Sequence, residues 1–94
     1  MKITSYIEPY NAKALKATID GTTFYFSYET MIAINCPGLG LFVRQNDWKT
    51  TTGKHLNAID GGDKKNRLTA EEFAAKKLEV LIFTGLKDLP EITL

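Results

Sequence analysis

A two-residue turn in the first third of the chain restricts the fold more than any other feature. Asp20 and Gly21 stand between two segments in which apolar and polar residues alternate, and this dipeptide suits the positive φ angles of a type I′ turn. The sequence therefore predicts a β-hairpin. Its register places small apolar residues opposite large ones: Ile19 with Thr22, Ala17 with Phe24, and Leu15 with Phe26. The other face is predicted to be exposed or half covered: Lys16, Thr18, Thr23, Tyr25 and Ser27.

Further strands are predicted on both sides of this hairpin. Residues 31–34 and 41–43 are short apolar runs, and the loop between them contains Pro37 and Gly38, a pair that favours a turn. A second hairpin is expected, and its near-continuous apolarity indicates central strands buried on both faces. A strand from Lys2 to Ile7, ended by Pro9 and Asn11, would complete a sheet of about four to five strands.

A capping box marks the start of a helix near the C-terminus. Thr69 is followed three residues later by Glu72, so each side chain can accept a hydrogen bond from the other residue's backbone amide. Gly85 can adopt the left-handed conformation that ends a helix. An apolar stripe at helical spacing is expected to pack across the sheet: Phe73, Ala74, Leu78, Leu81 and Ile82.

These elements predict one α+β domain over residues 1–94, since a chain of this length has room for a single core. Its antiparallel sheet is packed by the C-terminal amphipathic helix, and a short helix or turn near residues 51–59 is capped by one of the threonines. The chain has twelve Lys and Arg and eleven Asp and Glu. Its net charge is therefore too small to attract the whole protein to nucleic acid or anionic membranes. A single cysteine, with no signal peptide and no membrane span, indicates the cytoplasm.

The segment from Trp48 to Asn57 is the strongest candidate for ligand binding. It brings hydroxyls, an ammonium and the only imidazole to the start of a predicted helix, where phosphate or carboxylate can bind: Thr50, Thr51, Thr52, Lys54 and His55. The segment is not a P-loop, because Trp48 occupies the position of the first glycine and His55 that of the Ser or Thr. The alternative is that the threonines cap the helix and His55 packs or faces solvent.

Two further groups extend the candidate site. Lys64, Lys65 and Arg67 form a basic patch with Lys54 if the loop that carries them folds back, and a solvated charged loop is the alternative. Tyr25 lies on the more exposed face of the first hairpin, where an aromatic ring can stack on a nucleic-acid base. Core packing is the alternative explanation for that aromatic cluster.

Catalytic and metal-binding patterns are not found in the sequence. Cys36 and His55 are the only nucleophile and imidazole of their kinds, and a cysteine between apolar strands is usually a buried hydrophobic residue. One Cys and one His far apart are too few ligands for zinc, and Asp60 and Asp63 lack the spacing of a calcium loop. We expect no enzymatic activity, no metal and no cofactor.

Two phrases in the sequence resemble a family of small uncharacterised proteins common in bacteriophage genomes. The first is Phe-Ser-Tyr-Glu-Thr at residues 26–30, and the second is Trp-Lys-Thr-Thr-Thr-Gly-Lys-His-Leu-Asn at residues 48–57. The resemblance spans residues 19–59, and that family has no established activity. It implies a phage accessory protein. This chain has Lys49 where the family more often has serine, which bears on any capping role at that position.

The sequence as a whole predicts a phage or prophage accessory protein that binds a host protein or nucleoprotein complex in the host cytoplasm. Inhibition of a host defence system, as by an anti-CRISPR protein, is the most specific form of this prediction. The alternative is a nucleotide- or nucleic-acid-binding module built on residues 50–55. No membrane partner is expected, and an exposed sheet edge would allow a homodimer.

Overall fold

The computed structural model describes residues 1–93, and within them a five-stranded sheet is followed by two α-helices. The strands are β1 (Lys2–Ser5), β2 (Leu15–Ile19), β3 (Thr22–Ser27), β4 (Thr30–Cys36) and β5 (Gly40–Val43). The helices are α1 (Thr50–Asp60) and α2 (Ala70–Thr84), with a 3₁₀ turn (Lys64–Asn66) between them. All neighbouring strands are antiparallel, in the order β1-β2-β3-β4-β5. The predicted α+β layout is confirmed.

The predicted hairpin at Asp20 and Gly21 is present. Their φ angles are 48° and 85°, and the strands pair Ile19 with Thr22 and Ala17 with Phe24. Both turn residues need a positive φ, which glycine adopts freely and aspartate tolerates better than most residues. The local chemistry of this dipeptide therefore sets the register of β2 against β3.

Helices cover both faces of the sheet. The larger core lies under α2 and contains Leu15, Ala17, Phe24, Phe26, Ile34, Cys36, Phe73, Val80 and Ile92. A second buried cluster on the other face joins α1 to the sheet through Leu56, Ile32, Ala33 and Val43. Ser27 was predicted on an exposed or half-covered face, but it is only 3% exposed because α1 lies over the end of β3.

A β-bulge in β4 places an additional residue in the second buried cluster. Tyr25 pairs with Ala33 and Phe26 pairs with Met31, so Ile32 is the extra residue on β4. Such an insertion breaks the strict alternation of side chains. Ile32 and Ala33 consequently both pack on the α1 side, whereas Met31 packs on the α2 side.

Two strand predictions need correction. The second hairpin forms, and β4 is central as predicted, but β5 is an edge strand in which Leu41 is 46% exposed. A short apolar run has the same sequence appearance in both positions. The first strand ends at Ser5, because the Ser5 hydroxyl donates to the carbonyl of Ile7 and accepts from its amide, forming a turn.

The ends of α2 agree with the sequence, but its buried face does not. The Thr69 hydroxyl accepts from the Glu72 amide while the Glu72 carboxylate accepts from the Thr69 amide, and Gly85 has a φ of 74°. Of the predicted stripe, Phe73 is buried and Leu81 half-buried, whereas three members are exposed: Ala74, Leu78 and Ile82.

Two lysines of α2 lie on the side of the helix that faces the sheet. Lys76 lies over the Phe42 ring and Lys77 over the Phe73 ring, with Nζ 5.0 and 5.7 Å from the ring centroids. Lysine stems cover apolar surface while the ammonium stays near water. The inward face of α2 is built on Phe73 and Val80 with two half-buried lysines. Ala74, Leu78 and Ile82, which were predicted to be inside, are exposed.

Candidate functional site

A buried polar cluster joins the end of β3 to the inner face of α1. Ser27 Oγ lies 2.7 Å from His55 Nδ1 and 3.0 Å from Thr52 Oγ1. Thr52 and His55 share one face of the helix because they are three residues apart. The exposed fraction is 3% for Ser27, 8% for Thr52 and 2% for His55. We call them the buried polar cluster, and their hydrogen bonds fix α1 against the sheet.

Tyrosine rings surround His55. The ring centroids of Tyr6 and Tyr28 each lie 6.2 Å from that of the imidazole, and Tyr25 packs edge-on against Tyr6 at 5.3 Å. The Tyr6 hydroxyl donates to the carbonyl of Phe26 at 2.8 Å. Tyr25, a predicted binding residue, is half-buried, and its ring packs against Tyr6.

Burial sets the ionisation of these groups. It lowers the pKa of His55 below its usual value, because a charged imidazole loses hydration inside the protein. Burial, followed by the charge of Tyr25, raises the pKa of Tyr6 far above its usual value, and burial also raises the pKa of Tyr25. At neutral pH the site therefore presents a neutral imidazole and protonated phenols.

An aromatic surface lies beside the buried polar cluster and opens to solvent. Trp48 precedes α1 and Tyr28 lies in the β3–β4 turn, and they are 39% and 40% exposed. Both line a cavity of about 190 Å³ whose other walls are Ser27, Thr30, Ile32 and Thr52. We call Trp48, Tyr28 and this cavity the aromatic surface. Two of its walls are hydroxyl residues of the buried polar cluster, which hold the cavity in shape.

A cation lies against each ring of the aromatic surface. The Arg44 guanidinium carbon is 4.3 Å from the Trp48 centroid, and Lys13 Nζ is 5.4 Å from the Tyr28 centroid. Both distances are within the range of cation–π attraction. Arg44 also donates to Asp47 at 3.1 Å, while its buried Nε has no hydrogen-bond partner within residues 1–93.

Hydrogen bonds hold the backbone of both aromatic residues in place. The Trp48 amide donates to Asn46 Oδ1 at 2.9 Å. The Tyr28 amide donates to the carbonyl of Lys13 at 2.8 Å. Tyr28 has a φ of 56°, a left-handed conformation that is uncommon for an aromatic residue. The main chain of both residues is thus held by contacts made within the protein.

The predicted binding segment is divided by the helix it forms. Thr52 and His55 point inward to Ser27, whereas Thr50, Thr51 and Lys54 are exposed. The N-cap is Lys49, which makes no side-chain capping hydrogen bond. The prediction of a threonine cap was therefore wrong, because the helix begins at Thr50 and places every threonine inside its first turn.

The loop that carries the predicted basic patch folds back against α1, where Lys64 and Arg67 line one cavity with Gly53 and Asn57, but Arg67 is engaged in an ion pair. Arg67 Nε and one of its terminal nitrogens donate to the two oxygens of Asp60 at 2.8 and 2.9 Å, and the same nitrogen donates to Asn57 Oδ1 at 2.9 Å. The side chains of Arg67 and Asp60 are 4% and 7% exposed. Hydrogen bonding from Arg67 lowers the pKa of Asp60 despite the opposing effect of burial. Lys64 and Lys65 remain exposed.

Cys36 and His55 lie on opposite sides of the sheet. Cys36 belongs to the core under α2, whereas His55 lies on the inner face of α1. The structure therefore does not bring the two together. Within residues 1–93, no three His, Cys, Asp or Glu side chains are grouped so that they could hold a metal ion. None of the helices in that range is both long enough and apolar enough to cross a membrane.

Sequence reasoning missed several residues of this region. Ser27 and Tyr28 lie in the Phe-Ser-Tyr-Glu-Thr phrase at residues 26–30, and the spacing of Thr52 and His55 in the second phrase was a further signal. Tyr6 and Arg44 carried no recognisable sequence signal, because they reach the site only through the sheet and the loop that follows β5.

Comparison with known proteins identifies a family for this chain but does not identify an activity. A family model described as a family of unknown function, DUF8033, matches residues 1–75. No curated protein and no solved structure gives a significant match to the chain. The matched residues include the whole buried polar cluster and the aromatic surface, and they end inside α2, before Leu78 and Ile82. The chain therefore belongs to DUF8033, a family of unknown function.

Proposed function

We propose that this chain is a non-enzymatic accessory protein of phage or prophage origin that binds a host protein through the aromatic surface. The observation that carries the proposal is the exposed pair Trp48 and Tyr28 at the mouth of a cavity of about 190 Å³. Trp, Tyr and Arg are the residues most enriched where single side chains dominate binding energy. All three types meet here, since Arg44 lies under the Trp48 ring.

Preorganisation supports this proposal. Association loses free energy when mobile side chains become ordered. Trp48 and Tyr28 are already held by backbone hydrogen bonds and by Arg44 and Lys13. A side chain of the partner that enters the cavity meets fixed walls, so little ordering free energy opposes binding.

The charge distribution favours a protein partner over nucleic acid. The chain has a formal net charge of +1, and Arg67 is committed to Asp60. Proteins that hold single strands combine aromatic rings with a positively charged groove. The exposed Thr50, Thr51 and Lys54 of α1 support the alternative, a nucleotide- or nucleic-acid-binding module, and the experiment below separates the two.

Inhibition of a host defence complex, in the manner of an anti-CRISPR protein, is the most specific form of the proposal. Its support is the small size of the chain and the two phrases that resemble phage proteins. An inhibitor of this kind acts by occupying a surface of its target and needs no catalytic group.

The test is capture of a partner from host lysate, with and without nuclease, using the wild-type chain and two variants. Trp48→Ala is expected to lose the captured protein, and Leu41→Ala, which removes an exposed apolar side chain from the edge strand β5, is expected to retain it. With the purified partner, Trp48→Ala should weaken binding by about 2 kcal/mol or more, the loss typical of a residue that dominates an interface.

Two outcomes would contradict the proposal. One is a partner that Trp48→Ala binds as tightly as the wild-type chain does. The other is capture that nuclease abolishes, with affinity that falls steeply as salt rises and that Lys54→Ala reduces, since phosphate contacts behave in this way. That second result would establish the nucleic-acid alternative.

A further inference from the structure

A second cavity, of about 360 Å³, lies between α1, the 3₁₀ turn and the loop that follows β5. Its walls are polar side chains and one glycine: Gln45, Asn46, Gly53, Asn57, Lys64 and Arg67. We call it the polar cavity. Its volume is at the lower end of the range for small-molecule sites, so a ligand that fills it is small and hydrogen-bonding.

Arg67 gives the polar cavity a cation that is held in place. Its side chain is 4% exposed. Nε and one terminal nitrogen donate to Asp60 and Asn57, and the other terminal nitrogen makes no hydrogen bond within residues 1–93. Among the side chains of that range that are not exposed, Arg44 Nε is the only fully buried nitrogen or oxygen without a partner. The free nitrogen of Arg67 is therefore open to solvent, and it can donate to a ligand.

Lys64 is the second cation of the polar cavity. Its ammonium makes no ion pair and no hydrogen bond in the part of the chain that the structure describes. The nearby carboxylates have other partners, since Asp60 accepts from Arg67 and Asp63 accepts from Asn66, and neither lines the cavity. Because Asp60 offsets the charge of Arg67, attraction of an anion depends on Lys64. A phosphate group suits this pair of lining cations.

The carboxamides of the polar cavity suit hydroxyl groups. Asn57 Oδ1 accepts from Arg67, so the Asn57 side-chain nitrogen is a donor, and it has no partner among residues 1–93. Gln45 Nε2 donates to Asp47 at 3.3 Å, so Gln45 Oε1 is an acceptor. A hydroxyl both donates and accepts. A ligand that carries hydroxyl groups can therefore use both carboxamides.

Gly53 keeps the α1 wall of the polar cavity open. A Cβ atom at this position would lie 3.0 Å from Asn46 Nδ2. The Asn46 side chain is held there, because its Oδ1 accepts from the Trp48 amide and its Nδ2 donates to the carbonyl of Lys49. A large side chain at position 53 would therefore occupy the space that a ligand needs.

We infer that the polar cavity binds a small phosphorylated molecule that carries hydroxyl groups, with the chemistry of a sugar phosphate. Arg67 and Lys64 donate to the phosphate, and Asn57 and Gln45 hydrogen-bond to the hydroxyl groups. The polar cavity shares no lining residue with the aromatic surface, so this inference does not depend on the function proposed above. All six lining residues lie within the range that the family model matches.

The test is an NMR titration of the wild-type chain with ribose 5-phosphate, and separately with ribose and with inorganic phosphate. Ribose 5-phosphate is expected to shift the backbone amide signals of Gly53 and Asn57 and the Nε–H signal of Arg67, with a dissociation constant of about 1 mM or less. Inorganic phosphate should bind about 5-fold more weakly, because the hydrogen bonds of the hydroxyl groups are lost. Ribose at the same concentration should leave these signals unchanged.

Two variants and a matched control locate the binding site. Lys64→Ala is expected to weaken binding of ribose 5-phosphate about 10-fold, as loss of a hydrogen bond to a charged group does. Lys65→Ala is the control, because Lys65 is exposed in the same 3₁₀ turn but does not line the cavity, and it should bind as the wild-type chain does. Gly53→Leu should abolish binding by filling the cavity. Its helix should persist, since leucine has a higher helix propensity than glycine.

Four results would each overturn the inference. The first is the absence of shifts at Gly53, Asn57 and Arg67 at about 10 mM ribose 5-phosphate. The second is equal affinity of the wild-type chain and Lys64→Ala. The third is a response to ribose alone that matches the response to ribose 5-phosphate. The fourth is inorganic phosphate that binds as tightly as ribose 5-phosphate, which would mean that the cavity holds a free anion.

Discussion

Ser27 Oγ lies 2.7 Å from His55 Nδ1, and this contact connects the last residue of β3 to the inner face of α1. Ser27 belongs to the Phe-Ser-Tyr-Glu-Thr phrase at residues 26–30, and His55 belongs to the phrase at residues 48–57. The two phrases therefore touch, and Tyr28 and Trp48 from the same phrases line the cavity beside the contact. The buried polar cluster and the aromatic surface are therefore adjacent, and Ser27 and Thr52 belong to the walls of the cavity.

Ser27→Ala should destabilise the protein by about 1 to 3 kcal/mol. The substitution leaves His55 Nδ1 buried without its hydrogen-bond partner, and an unsatisfied buried polar group has a cost of this size. Chemical denaturation at neutral pH measures the change in the free energy of unfolding. Thr30→Ala is the matched control, because Thr30 is an exposed hydroxyl residue at the start of β4 and should change the free energy by no more than about 0.5 kcal/mol. Equal effects of the two substitutions would contradict a structural role for the cluster.

The stability of the protein should fall as pH drops below about 6.5. Burial lowers the pKa of His55 from its usual value of 6.5, so the unfolded chain takes up a proton at a pH where the folded chain does not. The stabilisation by neutral His55 is therefore complete above pH 6.5 and is lost as pH falls through the lower pKa of the folded state.

The single histidine of the chain makes this prediction directly measurable. An NMR titration of its ring signals should give a midpoint below 6.5. Denaturation at about pH 7.5 and about pH 5.5 should give a lower unfolding free energy at the acidic pH, and His55→Gln should reduce that difference. A titration midpoint at or above 6.5 would show that the imidazole is hydrated in the folded protein.

Removal of Arg67 should cost more stability than removal of any neighbouring lysine. Arg67→Ala leaves the Asp60 carboxylate, whose side chain is 7% exposed, without its two charged hydrogen bonds. Breaking a buried ion pair in this way costs about 3 kcal/mol or more. Arg67→Lys should lose less stability than Arg67→Ala, because lysine keeps the positive charge although it cannot form the bidentate hydrogen bonds.

Lys65→Ala is the control for Arg67, since Lys65 is exposed in the 3₁₀ turn and should shift the free energy of unfolding by less than about 0.5 kcal/mol. Urea denaturation of the four proteins at neutral pH gives the comparison. A small loss for Arg67→Ala would mean that water replaces the guanidinium around Asp60, and that the loop opens readily.

The parts of the fold that the sequence predicts correctly depend on neighbouring residues. The positive φ angles of Asp20 and Gly21 set the first hairpin, and Thr69 and Glu72 cap α2 through each other's amides. Each of these features is complete within four residues. No distant contact is needed to form them, so the sequence alone is sufficient.

The missed features depend on distant contacts. On the buried side of α2, Lys76 lies over Phe42 of β5, a residue more than thirty positions away in the sequence. The contact between Ser27 and His55 spans 28 positions and needs α1 to cross the sheet where the β4 bulge adds Ile32. Periodicity within one helix or strand carries no information about either arrangement.

Lys49→Ser should stabilise the protein by about 0.5 to 1 kcal/mol. Lys49 is the N-cap of α1, its backbone is extended, and its side chain makes no capping hydrogen bond. A serine hydroxyl in this position can accept from an amide of the first turn, which an ammonium cannot do. Thermal or urea denaturation measures the gain, and Lys54→Ser is the control. Lys54 is exposed inside the same helix, where serine has a lower helix propensity than lysine and should cost a few tenths of a kcal/mol. A loss of stability in Lys49→Ser would show that the lysine side chain supports the start of α1 by packing. It would also show that the missing side-chain cap does not limit the stability of this helix.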